Sequence, residues 1–149
     1  LPFRIYLSSR RVVLSEEEKA RVQEHMTVNK YLVFPLGDSK LPAFESMFHV
    51  AIENCMNDNF FTEKLLDCFR TYTIPIYWGT DTVLETFDPR GIIYCRNLEE
   101  IQKAIASLSV KDYWSRLEAM AKNHALAGNY TNQNSILKAL LLQEFDWSI

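Results

Sequence analysis

An apolar run from Phe48 to Ile52 ends in the polar pair Glu53-Asn54. A loop follows, then Thr62-Glu63-Lys64 opens a helical pattern, and a second apolar run, Ile74 to Trp78, closes on Gly79. This strand–loop–helix–strand order constrains the chain more than any other stretch. A parallel pair needs a crossover, and a helix is its usual form. In an open α/β sheet, ligands gather at the carboxyl ends of strands and at helix N-termini. The polar residues of this segment fall where such a fold puts its ligand.

The rest of the chain alternates in the same way. Phe3 to Leu7 reads as a strand, and Ser15 with Glu18 forms a capping box that opens a helix to about Met26. Lys30 to Phe34 reads as a short strand, ended by Pro35 and Gly37. Pro42 to Met47 suits a helical turn with Pro at its first position. The helix from Thr62 to about Tyr72 turns Leu65, Leu66, Cys68 and Phe69 inward. The run Phe48 to Glu53 is apolar enough for a strand covered on both faces. Pro75 argues mildly against a central place for the strand Ile74 to Trp78. Asp81 to Phe87 is a short helix, closed by Asp88-Pro89-Arg90-Gly91, and Ile92 to Cys95 is a strand. Leu98 to Leu108, Val110 to about Leu126 and Ser135 to Phe145 complete the chain as helices, with a polar break from Asn129 to Asn134.

This order implies an α/β fold: a Rossmann-like parallel sheet with helices on both faces and a C-terminal helical extension. The three strands Phe48–Ile52, Ile74–Tyr77 and Ile92–Tyr94 are expected as neighbours. Residues 1–128 are expected as one Rossmann-like domain. Residues 129–149 are expected as a C-terminal helix, packed on that domain or on a partner domain.

Composition narrows the function. The 149 residues are 48% hydrophobic and 13% aromatic, enough for a sizeable core. A net charge of -3 and a pI near 5.6 argue against a general nucleic-acid binder. No apolar run approaches the length of a membrane span, and no charged-then-apolar leader is seen, so a cytoplasmic setting is expected. The start Leu-Pro-Phe, without Met, reads as a fragment or a processed product. Cys55, Cys68 and Cys95 lack metal-ligand spacing and read as small buried hydrophobes, with Cys55 closest to the polar pair. His25, His49 and His124 are scattered, and His49 reads as a core residue. With four glycines, the chain holds no dinucleotide fingerprint, no P-loop and no nucleophile elbow.

The helix start at Thr62 offers a hydroxyl, Lys64 a cation and the first-turn backbone its donors, a set suited to phosphate. Glu63 in the same turn suits sugar hydroxyls, or positive charge developing on a sugar ring. An ordinary capped helix start would also read Thr-Glu-Lys. Glu53-Asn54 at the end of an apolar strand tips the reading toward a site, because a charge there is costly unless paired or used.

At these residues the chain resembles the α-1,3-fucosyltransferases, glycosyltransferase family ten. The resemblance runs from about Phe44 to Arg96 through Glu53-Asn54, Phe60-Phe61-Thr62-Glu63-Lys64 and Pro75-Ile76-Tyr77-Trp78-Gly79, then Phe87-Asp88-Pro89 and Gly91-Ile92-Ile93. It implies one half of a GT-B fold, the C-terminal half that binds a GDP-sugar. Lys64 would then bind the diphosphate. Glu63 would lie near the donor sugar as the catalytic group, and Asn54 would line the nucleotide pocket, with Glu53, Thr62 and Phe60 beside them. Phe60 stands where the family often has Tyr, so a hydroxyl is lost. Arg21 is the candidate for a phosphate-contacting Arg on an upstream helix, with Arg10 and Arg11 as alternatives. The resemblance implies an inverting glycosyltransferase that moves a sugar, fucose by analogy, from a GDP-sugar to a glycan hydroxyl without a metal or other cofactor. A general base is needed for the acceptor hydroxyl, and the family carries it in an N-terminal acceptor domain. The chain would then be the donor domain of a larger protein, inactive alone where the acceptor domain is missing, or a minimal stand-alone form; an N-terminal acceptor domain or a second copy is the partner implied. A non-catalytic sugar-nucleotide-binding module is the alternative reading.

Overall fold

The structure, a computed structural model, describes residues 4–7, 15–17, 20, 21, 24, 32–35 and 39–130. The chain divides into two compact units, Leu1–Ser46 and Met47–Ile149. The expected helix over 135–145 and the residues Arg10, Arg11, Glu18 and His25 lie outside the described residues.

In the first unit, strand β1 (Arg4–Leu7) pairs in parallel with β2 (Leu32–Pro35), Arg4 opposite Leu32 and Leu7 opposite Pro35. Between them Glu16, Glu17, Ala20, Arg21 and Glu24 are helical and exposed, so the expected strand–helix–strand order is present. A 3-10 turn over Leu41–Phe44 follows, with Pro42 in its first positions, where its missing N–H costs nothing.

The second unit carries the sheet β3 (Phe48–Ile52), β4 (Ile74–Trp78) and β5 (Ile93–Tyr94), in the order β3-β4-β5 and parallel throughout. Helix α1 (Glu63–Arg70) links β3 to β4. The short α2 (Val83–Thr86) and a 3-10 turn over Pro89–Gly91 link β4 to β5. Helices α3 (Leu98–Ser107) and α4 (Val110–Ala127) follow. On one face of the sheet, Ile76 and Cys95 meet Ile101 of α3, with Phe48, Val50, Trp78, Ile93, Ala104 and Leu108 packed around them. Helix α1 buries Leu65, Leu66, Cys68 and Phe69, as its periodicity predicts, and packs against β4 and α4. Phe69, tilted, and Phe61, edge-on, both pack against Phe87, at 4.7 and 5.5 Å between ring centroids. Among the described residues no helix is long and apolar enough to cross a membrane.

Strand β3 is covered on both faces, as its apolar run predicts: Phe48 and Val50 pack around the cluster of Ile76, Cys95 and Ile101, Ala51 on the opposite face is buried, and only Ile52 at its end is 39% exposed. It pairs with β4 alone among the described strands. Two expectations need correction. Pro75 is buried in the central strand. Ile74 donates to the Met47 carbonyl on the β3 side, while the Tyr77 carbonyl accepts from Cys95 on the β5 side. Even-numbered residues of β4 therefore bond β3 and odd-numbered ones face β5. The missing N–H of Pro75 falls on the β5 side, at a level where that chain is still in its 3-10 turn and β5 has not begun.

Helix α1 also stops sooner than Tyr72. Tyr72 takes a left-handed backbone, φ 55°. Its N–H bonds the Phe69 carbonyl, and the Thr73 N–H bonds that of Cys68 at 3.0 Å. That pair of bonds is a Schellman closure with Tyr in the position glycine usually holds.

Candidate functional site

The carboxyl ends of β3, β4 and β5 converge with the head of α1. Glu53 is the first residue past β3, and its side chain is fully buried. One carboxylate oxygen accepts from the Thr62 N–H at 2.9 Å, and the other accepts from the Thr62 hydroxyl at 2.8 Å. The second oxygen also lies 3.4 Å from Lys64 Nζ. The Thr62 hydroxyl in turn accepts from the Lys64 N–H at 3.3 Å, so Thr62 is the N-cap that the sequence predicts. Lys64 keeps its side chain 32% exposed. One buried carboxylate thus braces the cap and reaches the cation.

Glu63 is the first helical residue and is exposed, as are Asn54 and Phe60. The structure therefore brings Glu53, Asn54, Phe60, Thr62, Glu63 and Lys64 to one segment. Arg21 lies in the first unit, exposed, with its guanidinium 2.7 Å from Glu17 Oε1.

The neighbouring loops were not legible as site elements. The Asn59 N–H donates to the Thr82 hydroxyl at 3.1 Å, and Thr82 lies 3.0 Å from the Thr80 hydroxyl. This ties the loop after β3 to the loop after β4. Asn59 has a left-handed backbone, φ 58°, which asparagine tolerates. Tyr94 of β5 donates its hydroxyl to the Gly79 carbonyl at 3.1 Å. At Gly79 a Cβ would collide with the Tyr77 hydroxyl and come within 2.8 Å of Glu53 Cγ. Gly79 is what lets the end of β4 pass this close to Glu53. The Tyr77 ring is fully buried, and its hydroxyl has no hydrogen-bond partner in ordinary geometry. Burial, then the charge of Glu53, pushes that phenol well above its usual range.

Behind the site, Asn123 of α4 is fully buried. Its Oδ1 accepts from the Asp88 N–H at 2.7 Å, and its Nδ2 donates to the Asp88 carbonyl at 2.9 Å. Arg90 closes a two-point bond on the Asp88 carboxylate, at 3.0 and 2.6 Å. That pairing with Arg90 holds the Asp88 carboxyl down at about 2. A lone Asn inside an amphipathic helix gave no sign of this clamp. His124 donates from Nδ1 to the Phe69 carbonyl at 3.0 Å and stacks on Tyr72 at 4.6 Å, which joins α4 to the end of α1.

Cys68 and Cys95 behave as small core groups, whereas Cys55 is only half-buried. All three are free, Cys68 and Cys95 are buried, and burial pushes both of these thiols up. Among the described residues no group of three or more His, Cys, Asp or Glu is placed to hold a metal ion.

Comparison with known proteins places this geometry. The alpha-(1,3)-fucosyltransferase FucT of Helicobacter pylori is 33% identical over 58 residues, 39% of this chain and 12% of that protein. A crystal structure of an alpha1,3-fucosyltransferase with GDP superposes with a TM-score of 0.53 at 22% identity, over 82% of this chain and 38% of that one. A crystal structure of an alpha1,3-fucosyltransferase with GDP-fucose gives 0.50 at 19% identity, over 82% of this chain and 39% of that one. The chain thus spans well under half the length of these relatives, and at such identities the two superpositions speak for the fold. The family described as "Glycosyltransferase family 10 (fucosyltransferase) C-term" matches residues 17–130. This chain belongs to that family, glycosyltransferase family 10, in its C-terminal region.

Proposed function

We propose that this chain is the donor-binding part of a fucosyltransferase-type glycosyltransferase, one that transfers a sugar from a GDP-sugar to a glycan hydroxyl with inversion. The observation that carries the reading is the head of α1. There Lys64, the cap Thr62 and the positive end of the helix dipole stand together at the carboxyl end of a parallel sheet. A diphosphate suits that arrangement, and fucose is the sugar named with the GDP-bound relative. In this reading Lys64 takes the diphosphate without a divalent metal. Asn54 and Phe60 line the nucleotide side. Glu63 faces the donor sugar and stabilises positive charge on its ring in the transition state.

The base for the acceptor hydroxyl comes from an acceptor domain or a second copy. Residues 1–128 form the donor part. The three free thiols favour a reducing, cytoplasmic setting.

The test is calorimetric titration with GDP, followed by a turnover assay with a panel of GDP-sugars on the assembled enzyme. Micromolar GDP binding that survives EDTA, with transfer from GDP-fucose, supports the reading. GDP binding without transfer leaves a sugar-nucleotide-binding module, and no GDP binding overturns both.

A further inference from the structure

We propose that Glu53 is a positioning residue, one that orients Lys64 and the head of α1 for an anion without touching it. This rests on the reading that the anion is a nucleoside diphosphate. The carboxylate is fully buried and turned into the protein. Both its oxygens are occupied, by the Thr62 N–H, the Thr62 hydroxyl and Lys64 Nζ. No atom of it faces solvent, so it is not placed to meet a ligand.

Two effects of such a carboxylate oppose each other. Its charge repels an anion bound a short way off. Its hydrogen bonds fix the turn that presents the donors, and the ion pair limits where a flexible lysine can go. A long lysine loses much conformational freedom when it is ordered, so ordering it before the ligand arrives favours binding. The backbone around Glu53 is shaped for the second role. Gly79 carries no Cβ, and any Cβ there would press on Glu53 Cγ at 2.8 Å. The buried Tyr77 hydroxyl lies at the same spot beside Gly79. The carboxylate is held between β4 and α1 by packing as well as by bonds, which is how a group supporting a site is kept in one orientation.

The two effects give opposite signs, and this makes the proposal testable. In the 149-residue chain, Glu53→Ala removes charge and bonds together. If Glu53 acts only as a charge, GDP binds more tightly. If it positions Lys64, GDP binds about tenfold more weakly or worse, the worth of one charge-assisted hydrogen bond. Glu53→Gln keeps an acceptor for the Thr62 N–H and is expected to fall between the parent and Glu53→Ala. In a Lys64→Met background, Glu53→Gln is expected to change GDP affinity much less than in the parent. An equal loss in both backgrounds, or affinity unchanged or tightened with the fold intact, overturns the proposal.

Hydrogen exchange at the Thr62 amide gives a readout that needs no nucleotide. It is expected to quicken about tenfold or more in Glu53→Ala, while the Ile76 amide in β4 keeps its rate. An unchanged Thr62 rate overturns the proposal whether or not GDP binds. Failure of the parent chain to bind GDP overturns the function proposed above and leaves the exchange result to decide the role of Glu53. Should Glu53→Ala fail to fold, the Glu53→Gln exchange rate and affinity decide alone.

Discussion

Lys64 and Glu63 sit side by side at the start of α1, yet their roles separate in a mutational test. Lys64→Ala is expected to weaken GDP binding by about 1.5–3 kcal/mol, the usual worth of a hydrogen bond to a charged group. Calorimetry on the chain measures this directly, and an unchanged affinity would remove Lys64 from the phosphate site. Glu63→Gln keeps shape and removes charge. If Glu63 serves only the helix dipole, the change costs a few tenths of a kcal/mol in stability. If it faces the donor sugar, turnover of the assembled enzyme falls by about 10²-fold while GDP affinity holds. Gly79→Ala is a third test at this scale. Its Cβ would strike the Tyr77 hydroxyl and Glu53 Cγ, so it is expected to destabilise the chain by about 1–3 kcal/mol in urea unfolding, as overpacking does. Glu53, Thr62, Glu63 and Lys64 were legible in the sequence because each is a polar residue at a strand end or a helix head. That Glu53 points inward was not, since a strand end permits either face and only the packing of Gly79 and Tyr77 decides.

Among the elements, the long-range clamps are what escaped the sequence. The strands β3 to β5 and the inward face of α1 follow from apolar runs and spacing, which are local signals. Asn123 holds the Asp88 backbone from α4, and His124 stacks on Tyr72 from the same helix. Such contacts join residues far apart in the chain and leave no periodic trace. The stack accounts for Tyr at the left-handed end of α1. A left-handed backbone costs a side-chain-bearing residue about 1–2 kcal/mol, and the ring contact offsets it. Tyr72→Gly is therefore expected to be close to neutral in the parent and stabilising by about 1 kcal/mol in a His124→Ala background, where the contact is gone. Thermal unfolding of the four proteins of this cycle decides the matter. The Asp88 turn has a pH signature of its own. Its carboxyl is held at about 2 by Arg90, against an ordinary value of 3.8. A depressed carboxylate stabilises the fold fully above the ordinary value and loses that contribution as pH falls through the folded one. The parent is therefore expected to lose stability between pH 4 and 2 more steeply than Arg90→Ala, measured by urea midpoints across that range.

For the molecule as a whole, GDP binding is expected to be unchanged by EDTA and by added magnesium, with Lys64 and the α1 N-terminus meeting the diphosphate in place of a metal. A strict magnesium requirement in the same titration would count against the donor-site assignment. Pro75 has a separate consequence for how copies of this chain meet. A sheet margin with a full row of N–H donors is a template for strand addition from another molecule. Here β5 is only two residues long, so much of that side of β4 depends on little cover. Should β5 detach, the row that β4 presents is already broken at Pro75, and an incoming strand finds no donor there. The proline that the sheet tolerates because β5 starts late also protects the exposed margin when β5 lets go. Pro75→Val is expected to keep the fold yet shorten the lag of aggregation at raised temperature, followed by light scattering.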